Sequence, residues 1–214
     1  MKQYNNYDIE ERLNLEGYTL IAGTDEVGRG PLVGPVVAAA VIMPKGCHID
    51  GVTDSKKVSL KNRLILKEKI EQMSIAYAVS FVDAETIDEI NIYEASRLAM
   101  MNALNSLKVK PDYVLSDAMP LNLELPSEAI IKGDEKSFTI GCASILAKVA
   151  RDNYMESLDK EYPEYNFSKN KGYPTKEHFL ALKKYGVLKE HRRSYKPVAN
   201  ELAKGNIYEK NKNN

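Results

Sequence analysis

The chain has little cysteine, no long apolar run and no net charge, and each shortage removes a class of function. Cys47 and Cys142 are its only cysteines. They lie far apart without ligand spacing, so both read as reduced thiols in a cytoplasmic protein rather than as a disulfide framework or a thiolate metal site. No apolar stretch approaches the ~20 residues that span a bilayer, so no membrane association is expected. The first 20 residues, with Asp8, Glu10 and Glu11, lack the basic start and apolar middle of a secretion signal. A Ser-centred nucleophile elbow, a Walker phosphate loop and paired Cys ligands are also missing.

Zero net charge argues at first against a nucleic-acid partner, but the charges are segregated. Of 30 Lys and Arg, 12 fall in residues 165–214 against 4 of the 30 acids; the rest of the chain carries 18 against 26. An acidic body with a basic C-terminal quarter suits a metal site on one part and a phosphate-tracking surface on the other. A basic tail that only aids solubility fits the charge equally well.

What is present reads as one sizeable α/β unit. Residues 20–24 and 36–43 read as strands joined through a Gly34-Pro35 turn, close enough to pair antiparallel. Residues 59–73 show helical spacing with Ser59 as N-cap. A third strand is expected over 74–82 and helices over 83–90 and 93–107. Residues 113–116 form a short strand ending at Asp117, and 129–131 another ending at Lys132-Gly133-Asp134. Helices over 137–158 and 175–185 complete the set, and the tail from 205 to 214 is expected to be disordered. The pattern predicts a mixed five-stranded sheet flanked by helices over 17–160, then a helical, basic C-terminal extension of the same unit over 161–204.

The acids carry the chemistry. Asp25 and Glu26 stand side by side where the first apolar strand stops, and Gly28-Arg29-Gly30 follow at once. Two acids at the end of a buried strand need a cation to offset them, and a divalent metal suits a carboxylate cluster. Asp117 and Asp134 also close strands, and in open α/β sheets ligands gather outside strand ends. Oxygen-only ligation favours Mg2+ or Mn2+, and two such ions about 3.5–4 Å apart can drive phosphodiester hydrolysis. Each acid has an ordinary alternative: Asp at a strand end is commonly a turn former, and Asp134 can stabilise a helix N-terminus. Neighbours on a regular strand also face opposite sides, so Asp25 and Glu26 share one site only if the strand distorts or one acts through its carbonyl. His178 and His191 have no partner at ligand spacing, and His191, beside two arginines, reads as part of a backbone-binding edge.

Seven short motifs, in order over some 180 residues, resemble the ribonuclease HII family. They are Gly23-Thr-Asp-Glu-Val-Gly-Arg-Gly30, Asp54-Ser-Lys-Lys57, Ser116-Asp117, Lys132-Gly-Asp-Glu-Lys-Ser137, Ala143-Ser-Ile-Leu-Ala-Lys-Val-Ala-Arg-Asp152, Asn170-Lys-Gly-Tyr-Pro-Thr175 and His191-Arg-Arg-Ser194. The resemblance implies a ribonuclease H-like fold and metal ligation by Asp25, Glu26, Asp117 and Asp134. It implies that Gly28, Arg29 and Gly30 sense the ribonucleotide and that Tyr173 stacks on the adjacent deoxynucleotide. Lys56, Lys57, Lys148, Arg151, Lys171, Arg192 and Arg193 are expected phosphate contacts. For Lys148 and Arg151, charges that simply face water are the alternative. The implied substrates are RNA–DNA hybrids and duplex DNA with embedded ribonucleotides, cut with Mn2+ or Mg2+. Another two-metal nuclease of this fold and a non-catalytic hybrid-binding module are the rival readings. The enzyme is expected to act as a monomer, and no motif for recruitment by a replication adaptor is evident in the tail. Val27, Ala118, Gly141-Cys142 and Tyr195 depart from the family's usual residues without replacing a chemical group. The glycine-arginine-glycine loop separates the chain from the sister ribonuclease HIII.

Overall fold

A computed structural model describes residues 6–209. Five strands form one mixed sheet: β1 (Ile21–Val27), β2 (Val36–Ile42), β3 (Ala76–Val82), β4 (Tyr113–Asp117) and β5 (Ser127–Ile130), in the order β3-β2-β1-β4-β5. β1 pairs antiparallel with β2 and parallel with β4, and β4 pairs parallel with β5. A short connection suffices for the antiparallel pair, whereas parallel β4 has to be reached by a long crossover. Asp112 sets the start of β1: its carboxylate accepts from the backbone N–H groups of Thr19 and Leu20 and from the Thr19 hydroxyl. Every residue of β2 is buried, as its unbroken Val, Ala and Ile content requires of a strand covered on both faces.

The helices are α1 (Asp8–Leu15), α2 (Leu60–Met73), α3 (Ala84–Asn105), α4 (Gly133–Lys136), α5 (Phe138–Glu161), α6 (Phe167–Asn170), α7 (Lys176–Tyr185) and α8 (Lys196–Leu202). Ser59 caps α2 by accepting from Asn62 N–H, and Thr175 caps α7 by accepting from His178 N–H. α3 is in substance the two helices expected from sequence. Asn91 breaks it at φ 68°, and its side-chain oxygen accepts from Tyr93 N–H and Glu94 N–H to cap the second segment. α1 and α8 give too short a periodic signal to stand out in the sequence.

Two compact units divide the chain. The first comprises Met1–Val27, Val37–Phe81 and Ser96–Ala150, and the second Gly28–Val36, Val82–Ala95 and Arg151–Asn214, so the divisions fall at the ends of β1, β2 and β3 and within α3 and α5. The first has its core around Ala39, Val41, Leu66, Ile70, Phe138 and Leu146. The second centres on Val33, Met155, Leu158, Tyr165, Phe167 and Leu188. Ile207 bridges to Val187, and Tyr208 packs edge-on against Tyr162 at 5.4 Å. Ordered contacts thus extend past residue 205, the expected start of disorder; residues 210–214 lie outside the described residues. Among the described residues no helix is long and apolar enough to cross a membrane.

Candidate active site

The parallel register assembles the acids. Thr24 stands opposite Ser116 and Asp117 opposite Ile130, so β1, β4 and β5 run out at the same edge of the sheet. Asp25 and Asp117 follow there as neighbours, and four residues beyond Ile130 the chain reaches Asp134 on α4. One carboxylate oxygen each from Asp25, Asp117 and Asp134 lies within 4.8 Å of the others. Gly23 and Gly133 permit the approach. A Cβ on Gly23 would stand 2.3 Å from the Thr139 carbonyl carbon at the start of α5, and one on Gly133 would meet Ile140 at 2.6 Å. Gly133 N–H also donates to Asp117 Oδ1 at 2.7 Å, fixing that carboxylate.

Glu26 is not in this group. β1 keeps regular pairing through it, with Asp25 opposite Ala39 and Glu26 opposite Ala38, so the two side chains alternate as the pleat demands. The strand does not distort to bring them together. Glu26 is nevertheless the largest charge acting on Asp25.

The site holds its carboxylates against their preference. Burial first, then Glu26, Asp117 and Asp134, push Asp25 well above the usual carboxylate range, and a hydrogen bond from Ser144 works the other way. The Ser55 hydroxyl lies 2.9 Å from that of Ser144. Burial raises Asp117 despite the Gly133 N–H and the Lys56 charge. Asp134 is pushed up to about 6 by burial, Asp117 and Asp54, with Lys56 opposing. Three converging carboxylates that disfavour their own ionisation fit a hard divalent cation, which would reverse those shifts. Lys56 is exposed and acts electrostatically on two of the three acids.

One residue, Val27, separates Glu26 from the glycine loop in the chain, and the loop is built by two buried arginines. Arg192 is fully buried. It donates to the carbonyls of Gly28 (2.6 Å), Arg29 (2.9 Å) and Gly34 (3.0 Å) and to the Tyr195 hydroxyl (3.1 Å). Arg151, also buried, donates to the carbonyls of Lys171 (3.0 Å), Pro35 (3.2 Å) and Val33 (3.4 Å). The peptides here are trans, and a trans peptide points its carbonyl and the following N–H in opposite directions. With the carbonyls of Gly28 and Arg29 drawn to Arg192, the N–H groups of Arg29 and Gly30 therefore turn the other way. Tyr173 is 39% exposed, and its ring edge lies 3.5 Å from where a Gly30 Cβ would be. Leu32 N–H donates to the Gly172 carbonyl and joins the two loops.

These contacts correct three expectations. Arg192 is not a surface phosphate contact, because its donors are spent on internal oxygens. Arg151 neither contacts phosphate nor faces water, for the same reason. His191 is fully buried and so forms no backbone-binding edge. Burial pushes the guanidinium of Arg151 down to about 10, with neighbouring Arg192 adding to the effect, and burial also lowers Arg192; both stay charged at neutral pH. Arg29 and Arg193 are exposed, and the backbone N–H groups of Arg193 and Ser194 are held by Asp88. Lys171 is partly buried, with its ammonium 3.1 Å from Glu156. The supporting roles of Ser144 and Arg151 carry no sequence signal, because the oxygens they serve come from distant parts of the chain.

Residues 22–198 match the family model described as Ribonuclease HII. A ribonuclease HII of Caldicellulosiruptor bescii is 54% identical over 192 residues, covering 89% of this chain and 93% of that one. Another from Halalkalibacterium halodurans is 49% identical over 194 residues, covering 91% and 74%. Among solved structures, the ribonuclease H2 of Pyrococcus horikoshii OT3 aligns with a TM-score of 0.74 at 30% identity, covering 86% of this chain and 97% of that one. With the mixed sheet, the acids at its edge and a match across most of its length, the chain belongs to the ribonuclease HII family of metal-dependent endoribonucleases.

Proposed function

We propose that the protein cuts the RNA strand of RNA–DNA hybrids and nicks duplex DNA on the 5′ side of embedded ribonucleotides, using two Mn2+ or Mg2+ ions. The convergence of Asp25, Asp117 and Asp134 carries this reading. Those three carboxylates would hold the ions, with Glu26 joining them as the fourth acid that the family resemblance implies. Bound divalent ions would supply an activated water and neutralise charge on the leaving oxygen. The products would be a 3′-hydroxyl and a 5′-phosphate. The outward N–H groups of Arg29 and Gly30 support recognition of the 2′-hydroxyl, the group that distinguishes RNA from DNA. Tyr173, exposed beside Gly30, supports stacking on the adjacent base. Exposed Lys56 and Arg193, with partly exposed Lys171, would meet phosphates.

The test is a DNA duplex with one ribonucleotide, incubated with Mn2+ or Mg2+. A nick 5′ to the ribonucleotide is expected, and no nick with either ion would sink the reading. Equal cutting of an all-DNA duplex would point instead to a general two-metal nuclease. Asp25→Asn is expected to abolish cleavage and to remove the rise in Tm that saturating Mn2+ gives the parent protein.

A further inference from the structure

Two histidines that play no part in the proposed chemistry form a buried chain ending at the substrate-facing loop. His178 and His191 are both fully buried, and their Nε2 atoms lie 3.1 Å apart. The outer contacts settle which nitrogen carries each proton. His191 Nδ1 accepts from Leu188 N–H at 3.0 Å, so in the neutral ring its proton sits on Nε2. That N–H must donate to His178 Nε2, which is then bare, leaving the His178 proton on Nδ1. His178 Nδ1–H in turn donates to the Tyr173 carbonyl at 3.0 Å. Every ring nitrogen is satisfied in one direction only: Leu188 to His191 to His178 to Tyr173. Burial lowers both rings, His191 to about 3, and so favours the neutral form of each.

The end of this chain matters because the loop it reaches is strained. Lys171 and Gly172 hold φ of 50° and 81°, and the former is a conformation that side chains rarely adopt. The Tyr173 carbonyl also accepts from Thr175 N–H at 2.8 Å, so the two bonds together fix the peptide that aims the aromatic ring. A pair of apolar side chains would fill the same space without specifying a direction.

We propose that His178 and His191 are positioning residues for Tyr173, holding its loop through a hydrogen-bond chain of one tautomeric sense. The inference rests on the reading of Tyr173 as a substrate contact. An Asn amide nitrogen falls near the Nδ1 position of a histidine and can donate there, whereas a Gln amide oxygen set near Nε2 can accept there as the bare ring nitrogen does. His178→Asn therefore keeps the bond to Tyr173 and loses His191, while His178→Gln keeps His191 and loses Tyr173. Both leave one buried group without its partner, so their Tm values should fall alike. Their rates should differ: on a duplex with one ribonucleotide, kcat/KM is expected to fall about tenfold for His178→Gln and less than about threefold for His178→Asn. Equal losses in two variants of equal Tm would overturn the proposal. An unchanged rate for Tyr173→Ala would instead sink the reading of Tyr173 itself. Nitrogen-15 spectra of the histidines in the unaltered protein supply a check independent of folding: His178 should be protonated at Nδ1 and His191 at Nε2, and the opposite tautomer at either overturns the chain.

Discussion

Replacing Gly28 by alanine should damage the fold, whereas the same change at Gly30 should not. Gly28 sits at φ +97°, and an added Cβ would stand 2.3 Å from Arg151 Nε, 2.6 Å from its Cδ and 3.0 Å from the Pro35 carbonyl. The backbone conformation alone costs an alanine about 1–2 kcal/mol. The Arg151 side chain cannot swing aside as a surface arginine would, because it is buried and bonded to the carbonyls of Pro35 and Lys171. Giving up two such charged hydrogen bonds costs about 1.5 kcal/mol each at the low end. The total, near 4 kcal/mol, is a large part of a typical stability of about 5–15 kcal/mol. For a chain of this size it corresponds to a fall in Tm of roughly 8–16 °C. At Gly30 the nearest atom is Tyr173 Cε1 at 3.5 Å, an ordinary contact, so Gly30→Ala should melt within about 2 °C of the parent. Thermal and urea melts of the two variants side by side make the assay. A Gly28→Ala protein as stable as the parent, or two variants equally destabilised, would show that the arginine scaffold does not define the loop.

Arg192→Lys should cost about 3 kcal/mol, because an ammonium cannot reach the three carbonyls and one hydroxyl that the guanidinium spans, while exposed Arg193→Ala should change Tm by less than about 2 °C. In metal-free protein, the raised Asp134 makes a pH-dependent difference. A carboxyl whose folded value lies near 6, above its unfolded value of 3.8, contributes its stability in full below the unfolded value and loses it as pH rises through 6. Asp134→Asn should therefore be the more stable protein at pH 7, by about 1–2 kcal/mol after allowing for a half-exposed group, and match the parent near pH 3.5; urea melts at the two pH values check this. Mn2+ affinity of the parent, followed by calorimetry, should fall as pH drops through 6, because protons and metal compete for the same oxygens. Ala118 holds φ 50° directly after Asp117, so Ala118→Gly should raise Tm by about 1–3 °C, and a lower Tm would show that no strain is stored there.

Much of this site is legible in the sequence because strand ends are punctuated there. The charge-free run before Asp25, the short apolar run before Asp117 and the Lys-Gly-Asp turn after the last strand each announce an acid at a sheet edge, and the parallel order of β1, β4 and β5 gathers them. The pleat also foretells that Asp25 and Glu26 cannot both turn inward from a regular strand. Arginine is where sequence misleads. Arg151 lies on a helix rich in Ala, Ile and Leu, and Arg192 in a basic segment, so charge and neighbours alike suggest solvent. Their burial follows from carbonyls donated by residues 28–35 and 171, which no local pattern reveals. The histidines fail to signal for the same reason: thirteen residues apart, they meet only because α7 and the following turn bring them together.

The two sets of buried charge differ in what the protein does for them, and that difference separates function from support. Arg151 and Arg192 are surrounded by internal oxygens, so nothing further is needed to keep them charged, and their work is complete in the folded chain. Asp25, Asp117 and Asp134 are treated in the opposite way. Asp117 receives the Gly133 N–H, and Asp25 the Glu26 N–H and the Ser144 hydroxyl, yet burial and neighbouring acids still hold all three above the ordinary carboxylate range. A fold selected for stability alone would have amides or apolar groups at such positions. Carboxylates kept together with too little compensation inside the chain need it from outside, and a divalent cation is the partner whose charge and oxygen preference match the set. The proposed metal site thus follows from the energetic imbalance of the residues that form it.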